Sequence, residues 1–301
     1  MSSLTSQPAV ILWHPSSNGL SNTQVLSLAA SQNGKLFAGT NGGGVFVSAD
    51  AGATWSAENS GLTNLTISNI LAYGDTVVVG TAGGGVFISL NGGGAWNALN
   101  TGLTDPNITS LAFSIATLKA YAGTPSGVFE GSLTTFTWSL ANTGLSNTSI
   151  NSLFISGTNI FAGTDEGVFS SALSGISWSA NGSLVDTVNA VFVNDTAVLA
   201  GTEKGIFKNI AGNSSWSNVS SGLNALQSYA SAAKDSLVVV ATEQGVFVCK
   251  NYFVSAVYLP ANNGLIDSMH INALTIAQGK IYAATANAGV FVSADTGVTW
   301  T

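Results

Sequence analysis

The amino-acid sequence predicts an all-β protein, a seven-bladed β-propeller with four antiparallel strands in each blade. The prediction rests on a unit of 38 to 44 residues that recurs seven times along the 301-residue chain. Units of four short strands that repeat every 40 to 45 residues or so are the sequence signature of propellers. A β-solenoid is the alternative architecture, but its coils are usually shorter.

Three markers define the unit, and each of them occurs seven times. A "GVF" or "GIF" tag ends at Phe46, Phe87, Phe129, Phe169, Phe207, Phe247 and Phe291. An "AGT"-like tag upstream ends at Thr40, Thr81, Thr124, Thr164, Thr202, Thr242 and Thr285. Further upstream, an apolar residue leads the first strand of each unit at Val25, Ile67, Ile108, Ile150, Val188, Leu226 and Ile271.

A small or short polar residue follows each leader by two positions. These residues are Ser27, Asn69, Ser110, Ser152, Ala190, Ser228 and Ala273. Seven inner strands converge on a central channel in a propeller, so we expect small side chains where the strands crowd together. The phenylalanines and the outer-strand tryptophans are expected to fill the spaces between blades.

Within the first unit, strands are predicted at about 25–30, 35–40, 44–49 and 53–58, separated by turns rich in Gly, Asn and Ser. The runs are rich in Val, Ile, Phe and Thr, and none is long enough for a helix. The chain is predicted to be a single domain, 1–301, with blades at roughly 23–60, 65–101, 106–143, 148–181, 186–221, 224–263 and 267–301 plus 9–14.

The outer strands carry an aromatic residue that a glycine follows six positions later. Trp55, Trp96, Trp138, Trp178 and Trp216 mark the first five blades and Tyr258 the sixth, with Gly182 only four positions after Trp178. Two tryptophans compete for the seventh blade, Trp300 and Trp13. Because "VILW" is the more apolar segment, we expect residues 9–14 to form the outer strand of the last blade and close the ring.

One octapeptide occurs twice with the same spacing, "SADAGATW" at 48–55 and "SADTGVTW" at 293–300. Both copies match the pattern Ser-x-Asp-x-Gly-x-Thr-Trp, and the chain resembles the Asp-box (BNR-like) repeat propellers, a superfamily that includes sialidases and sortilin-type receptors. The resemblance implies a turn between the third and fourth strands, on the face away from the usual ligand site. We expect a structural role for Ser48, Asp50, Gly52, Trp55, Ser293, Asp295, Gly297 and Trp300.

Composition excludes several classes of function. Charged residues make up 7% of the chain, against about 25% in typical proteins, and the net charge is −7. All seven basic residues are lysines, so the chain has no basic patch for nucleic acid, and no apolar run is long enough to cross a membrane. A single cysteine, Cys249, rules out an intramolecular disulfide.

No signal peptide is visible; we expect a secreted or cell-surface domain whose leader has been removed, and a monomer.

No catalytic or cofactor motif stands out. The resemblance suggests sialidase activity, but sialidases hold the substrate carboxylate with arginines, and this chain has none. Neither His14 nor His270 has a hydrolase context, and no glycine-rich nucleotide loop opens a helix. We expect no cofactor and no metal site.

The most informative polar cluster lies in the turns between the second and third strands of blades four to six. It comprises Asp165, Glu166, Glu203, Lys204, Glu243 and Gln244. This acidic arc is compatible with ordinary surface polarity, with binding of a cation, basic peptide or polyol, or with catalysis by paired carboxylates. We expect a non-catalytic secreted or cell-surface module that binds a protein or glycan partner; the alternative is a carbohydrate-active propeller, lectin-like or related to glycoside hydrolases.

Overall fold

The computed structural model describes residues 16–135, 137–194, 197–210, 214–223, 227–252, 256–265 and 270–301. These residues form seven antiparallel sheets arranged as a closed ring, and they contain strands but no helix. The predicted seven-bladed all-β propeller is therefore confirmed.

Each blade follows the order of the chain, from an inner strand at the channel to an outer strand at the rim. Blade one consists of β1 Val25–Ala30, β2 Leu36–Thr40, β3 Gly44–Ser48 and β4 Ser56–Ala57, and blade two of β5 Ile67–Tyr73, β6 Thr76–Thr81, β7 Gly85–Ser89 and β8 Asn97–Ala98. Blade three consists of β9 Ser110–Ser114, β10 Lys119–Thr124, β11 Gly127–Ser132 and β12 Trp138–Leu140, and blade four of β13 Ile150–Ser156, β14 Asn159–Thr164, β15 Gly167–Ala172 and β16 Ser179–Ala180. Blade five consists of β17 Val188–Asn194, β18 Ala197–Thr202, β19 Gly205–Ile210 and β20 Ser217–Asn218, blade six of β21 Ser228–Lys234, β22 Leu237–Thr242, β23 Gly245–Cys249 and β24 Leu259–Pro260, and blade seven of β25 Ile271–Ala277, β26 Lys280–Thr285 and β27 Val290–Ser293.

The two faces of the ring differ in which loops they carry. Turns between second and third strands lie on the same face as the connectors between blades, because each inner strand begins where its neighbour ends, as Val25 pairs with Thr40. We call this the upper face. The lower face carries the turns between first and second strands and between third and fourth strands, including both octapeptides.

The core consists of seams between neighbouring blades rather than one central cluster. Between blades one and two, for example, Phe37 and Val45 pack against Ile67 and Phe87, and Trp96 closes the outer end. Middle strands are covered on both faces and are buried at nearly every residue, so they consist mainly of apolar and small residues and their tags stand out in the sequence. Outer strands are exposed and only two or three residues long, shorter than expected.

The small residues of the inner strands bond across the seams. Ser110 Oγ accepts from Leu153 N at 2.9 Å, and Ser152 Oγ accepts from Val191 N at 3.0 Å. Further members of this set are the bonds from Leu111 N to Asn69 Oδ1, 3.2 Å, and from Ser27 Oγ to Ile67 O, 3.3 Å. Limited space alone therefore does not explain these residues, because four of them satisfy a backbone group of the next blade.

The inner strand of blade six begins two residues later in the sequence than the repeat markers predict. Its inner strand pairs Ser228 with Thr242 and Ala230 with Ala241, whereas blade one pairs Val25 with Thr40. The leader of blade six is therefore Ser228 and not Leu226, which lies outside the described residues. The sequence pattern predicted Leu226 because the leaders of the other blades are apolar, whereas a serine occupies this position in blade six.

Blade seven closes the ring by contacts with blade one. Asn272 Nδ2 donates to Val25 O at 2.8 Å, and Val290 N donates to Ser17 Oγ at 3.1 Å. The predicted outer strand at 9–14 lies outside the described residues. Within them, Thr301 exchanges two backbone hydrogen bonds with Val292, in the place where Ser56 pairs with Val47 in blade one.

Candidate functional site

The upper-face turns of blades four, five and six share one compact geometry. In blade four, Thr164 Oγ1 donates to Gly167 O at 3.0 Å and accepts from Glu166 N at 3.1 Å, while Gly167 has a φ of 108°. The left-handed glycine ends a two-residue turn, so both intervening side chains project from the surface. The same threonine contacts recur at Thr202 and Thr242.

These turns hold all six residues of the predicted acidic arc. Asp165, Glu203 and Glu243 occupy the first turn position, and Glu166, Lys204 and Gln244 occupy the second; all six are exposed. Asp165 Oδ1 accepts from Asn151 Nδ2 at 2.9 Å, and Asn151 lines the central channel. This hydrogen bond connects the first position of the blade-four turn to the channel mouth.

The arc contains one carboxylate that sequence reasoning did not include. Asp186, on the connector between blades four and five, forms an ion pair with the Lys204 ammonium. Thus the one lysine of the arc is neutralised by a neighbour, and the carboxylates of Glu166, Glu203 and Glu243 form no ion pair in the described part of the chain. Spacing gave no signal for Asp186, because connectors vary in length between blades.

The central channel encloses about 530 Å³ and is lined by all seven inner strands. At its upper end most inner strands begin with a bulge, whose extra residue faces the mouth, for example Ser68 in blade two and Asn272 in blade seven. Asn189 Nδ2 donates to Ser228 O at 3.1 Å, and Ser68 and Thr109 donate to the leader carbonyls of their next blades. These polar groups are thus used mainly to join blades.

An aromatic pair lies on the upper face between blades six and seven. Tyr229 is the bulged residue of blade six, and its ring centroid lies 4.1 Å from that of His270 on the connector to blade seven. Tyr229 takes the place in blade six that Asn151 has in blade four, next to the turn that carries Glu243. Neither residue belongs to a repeat marker, so sequence analysis did not connect them.

Charge is divided unequally between the two faces. Among the described residues, the upper face carries six carboxylates and one lysine, namely Asp105, Asp165, Glu166, Asp186, Glu203, Glu243 and Lys204. The lower face carries four carboxylates and five lysines, namely Asp50, Asp75, Asp235, Asp295, Lys35, Lys119, Lys234, Lys250 and Lys280. The excess negative charge of the described ring therefore lies on the face that surrounds the channel mouth.

Asp105 is held firmly on this face. Although partial burial raises the pKa of its carboxyl, hydrogen bonds from Ser126 and Asn107 outweigh that cost and lower the pKa below its ordinary value. Asn107 N donates to Asp105 Oδ1 at 3.0 Å. The carboxylate therefore stays charged at neutral pH.

The two octapeptide turns lie on the lower face, away from the arc. Ser48 Oγ donates to Asp50 Oδ1 at 2.8 Å, and Gly52 N donates to Ser48 Oγ at 2.9 Å. Thr54 donates to both oxygens of Asp50, through N at 2.8 Å and Oγ1 at 2.6 Å. The second turn repeats these contacts around Ser293, Asp295 and Thr299. Each carboxylate is thus used inside its own turn.

Tryptophan anchors tie each of these turns to the preceding blade. Trp55 Nε1 donates to Ser16 O at 2.8 Å, and Trp300 Nε1 donates to Ala261 O at 2.7 Å. Gly52 and Gly297 have φ values of 94° and 87°, a left-handed backbone conformation that residues with a side chain rarely adopt. The turns are therefore fixed at both ends.

The described residues hold neither a cluster of metal ligands nor a membrane-spanning helix. No three side chains among His, Cys, Asp and Glu come together there as a metal site. Across the same part of the chain, no helix has the length and apolarity needed to cross a membrane.

Comparisons with known proteins agree with a propeller fold. A family model described as the DUF6242 beta propeller domain matches residues 1–134, which is less than half of the chain. No curated protein matches the sequence.

Several solved structures share the fold at low identity. A structure described as the extracellular domain of a one-component system from B. thetaiotaomicron is 17% identical, with a TM-score of 0.74, over 94% of this chain and 40% of that one. YCF48 bound to a D1 peptide is 11% identical, with a TM-score of 0.72, over 90% and 93%. An ancestral GH74 enzyme is 17% identical, with a TM-score of 0.67, over 97% and 48%. The chain thus spans less than half the length of the extracellular domain and of the GH74 enzyme.

Proposed function

We propose that the chain is a non-catalytic binding module, displayed outside the cell, whose upper face binds a basic segment of a partner protein. The observation that carries the proposal is the unequal division of charge: six carboxylates and a single, paired lysine lie on the upper face, five of the carboxylates in blades four to six. A face of one charge sign attracts partners of the opposite sign and accelerates their encounter.

The exposed side chains of the arc suit such a partner. Val185 is 83% exposed on the same connector as Asp186, beside the Asp165 turn, which Thr187 contacts. A lysine or arginine side chain combines an aliphatic stem with a cationic head, and can cover Val185 while its charge meets a carboxylate. YCF48, a propeller of similar fold, was solved with a peptide bound, which agrees with peptide binding as a use of this architecture.

The extracellular placement draws on the relatives and on composition. Several structures with this fold are described as extracellular domains of signalling systems. A charged fraction of 7% with no arginine also fits a surface built from Ser, Thr, Asn and Gly. The turns around Asp50 and Asp295 favour membership of the Asp-box superfamily, which contains both receptors and hydrolases and therefore does not decide the activity.

A second candidate is carbohydrate binding, which the aromatic pair favours. Tyr229 and His270 lie on the upper face beside the turn that carries Glu243, and His270 is exposed. Sugars stack on aromatic faces and form hydrogen bonds with nearby carboxylates. The similarity to a GH74 enzyme is compatible with this reading.

Two matched double variants test the proposal. Glu203→Gln with Glu243→Gln removes two charges of the upper face. The control, Glu58→Gln with Asp235→Asn, removes two charges that do not belong to the upper-face set. We expect a synthetic oligolysine peptide to bind the unmodified chain, and its affinity to fall roughly tenfold in the first variant only, because each neutralised contact costs up to about 1 kcal/mol at an exposed surface. Binding should also weaken with added salt.

The outcomes separate the two candidates. Equal weakening in both double variants would mean that only net charge matters and would overturn a specific upper-face site. Binding on a glycan array that Tyr229→Ala abolishes, with no binding of oligolysine, would favour the carbohydrate reading instead.

A further inference from the structure

Blade six lacks the apolar leader that the other blades share. Six leaders are Val or Ile with at most 2% exposure: Val25, Ile67, Ile108, Ile150, Val188 and Ile271. Ser228 takes this place in blade six, is fully buried, and has a hydroxyl with no hydrogen-bond partner in the described residues. Its side chain points at Gly201 of blade five, as Ile67 points at Gly39. Blade six therefore buries an unpaired hydroxyl where the others bury methyl groups.

The outer anchor of blade six is also different. In the other six blades a tryptophan Nε1 donates to a carbonyl of the preceding connector at 2.6 to 2.8 Å. Tyr258 replaces the tryptophan, and its buried hydroxyl has no partner in the described part of the chain. The seam between blades five and six therefore lacks the bond that fixes the rim elsewhere.

The inner strand of blade six packs against blade seven through apolar contacts, but within the part of the chain that the structure describes it lacks the polar contacts found at the other seams. Ala230 stands where Ser110 and Ser152 accept a backbone N–H of the next blade. Tyr229 donates to Gln227 within its own blade, whereas Asn189 and Asn272 donate across a seam. In the described residues, no side-chain hydrogen bond joins the inner strands of blades six and seven.

We propose that blade six is the local opening unit of the ring, and that its sheet separates from blades five and seven while the other six blades stay folded. A blade contacts only its two neighbours, so its opening cost is set by its own sheet and two seams. Among the described residues, each seam of blade six lacks one polar contact that the other seams have: the rim bond is missing towards blade five and the inner-strand bond towards blade seven. Two buried hydroxyls also regain water when the blade opens.

The chain contains a natural reporter for this motion. Cys249 is the only cysteine, lies at the end of β23 in blade six, and is 1% exposed. Its thiol cannot react with a labelling reagent until that blade opens. When reclosing is faster than labelling, the labelling rate measures the equilibrium population of the open form.

The test compares thiol labelling in two blades under native conditions. The control is Cys249→Ser combined with Ser171→Cys, which places the single thiol at the matching position of blade four, where Ser171 is 5% exposed. We expect Cys249 to be labelled at least about tenfold faster than the control at equal global stability, as for a sub-global opening. Hydrogen exchange of β21–β23 should be faster than that of β13–β15 in the unmodified chain.

An apolar residue at position 228 should lower the population of the open form of blade six. We expect Ser228→Ile to slow labelling of Cys249 by about tenfold or more, because it removes an unpaired hydroxyl and buries methyl groups. Ser228→Ala tests the hydroxyl alone should isoleucine not fit. Labelling of Cys249 only at the rate of global unfolding, or an unchanged rate in both Ser228 variants, would overturn the proposal.

Discussion

Asp50 and Asp295 each use both carboxylate oxygens inside one turn, with Ser, Thr and backbone groups as donors. Asn91 holds the same place in blade two and accepts from Ser89 Oγ and Ala95 N, but Ala95 offers no hydroxyl for a third bond. A neutral amide therefore reproduces the shape of the turn and not its full set of bonds.

Stability should depend on pH through these two carboxylates. Hydrogen bonds from threonine and serine lower the pKa of Asp50 and Asp295 to about 2, from 3.8. Because the folded pKa is depressed, their contribution is present above about pH 4 and is lost as pH falls towards about 2. We expect Asp50→Asn with Asp295→Asn to melt below the unmodified chain at neutral pH and to lose less between pH 4 and 2 or thereabouts.

Thermal melts at several pH values provide the measurement. Asp235→Asn, which touches neither turn, is the control and should follow the unmodified chain in its pH dependence. Parallel curves for the double variant and the unmodified chain would show that these carboxylates do not cause the acid sensitivity.

At the scale of the blade, the six-residue spacing from aromatic residue to glycine recurs because the glycine lies against the outer strand of the next blade. Gly61 has a φ of 94°, and a Cβ there would lie 2.2 Å from the backbone oxygen of Trp96. Gly102 and Gly264 meet the following tryptophans, Trp138 and Trp300, in the same way. At Gly182, after the shorter spacing, the nearest backbone oxygen is 2.8 Å away. The glycine thus lets the connector pass close under the next outer strand.

A pair of glycine variants tests this close approach. Gly74 also has a positive φ, of 57°, but a Cβ there meets no atom within 4 Å. We expect Gly74→Ala to cost about 1–2 kcal/mol, from the left-handed backbone alone, and Gly61→Ala to cost roughly 2 kcal/mol more, because backbone must move. Urea denaturation measures both. Equal losses would contradict a steric role for the connector glycine.

The repeat markers predicted the blades correctly where they recur, and they misplaced the start of a strand where one marker was replaced. Middle strands are buried on both faces, so their apolar tags persist and set the phase of six blades. In blade six a buried serine took the leader position, and the apolarity rule selected Leu226 instead. Outer strands were predicted too long, since the exposed edge needs only two paired residues to hold its aromatic anchor.

At the scale of the whole ring, the acidic arc could be proposed from the sequence because equivalent turns must share a face. The structure adds Asp186 and the aromatic pair, which come from connectors and from two different blades. Spacing cannot reveal such neighbours, because connector lengths vary and only folding brings them together. The excess of lysine on the lower face likewise emerges only when all seven blades are assembled.

Two segments are candidates for the outer strand of blade seven: residues 9–14, which the sequence predicts, and the segment that contains Trp300 and Thr301. Trp300 is fully buried, its N donates to Asn263 O at 2.9 Å, and Thr301 pairs with Val292. Trp13 has the same six-residue offset to Gly19 that Trp55 has to Gly61. One pocket holds one indole, so the tryptophan that fills it should dominate stability.

Matched substitutions at the two tryptophans decide between the segments. From the described contacts, we expect Trp300→Ala to lower the free energy of unfolding by about 3–5 kcal/mol, as for other buried tryptophans, and Trp13→Ala to cost much less. Trp55→Ala, in the equivalent pocket of blade one, sets the scale, and urea denaturation measures all three. A large loss in Trp13→Ala with little effect at Trp300 would assign the strand to residues 9–14. Comparable losses in both would mean that the two termini jointly close the ring, each supplying part of its last blade.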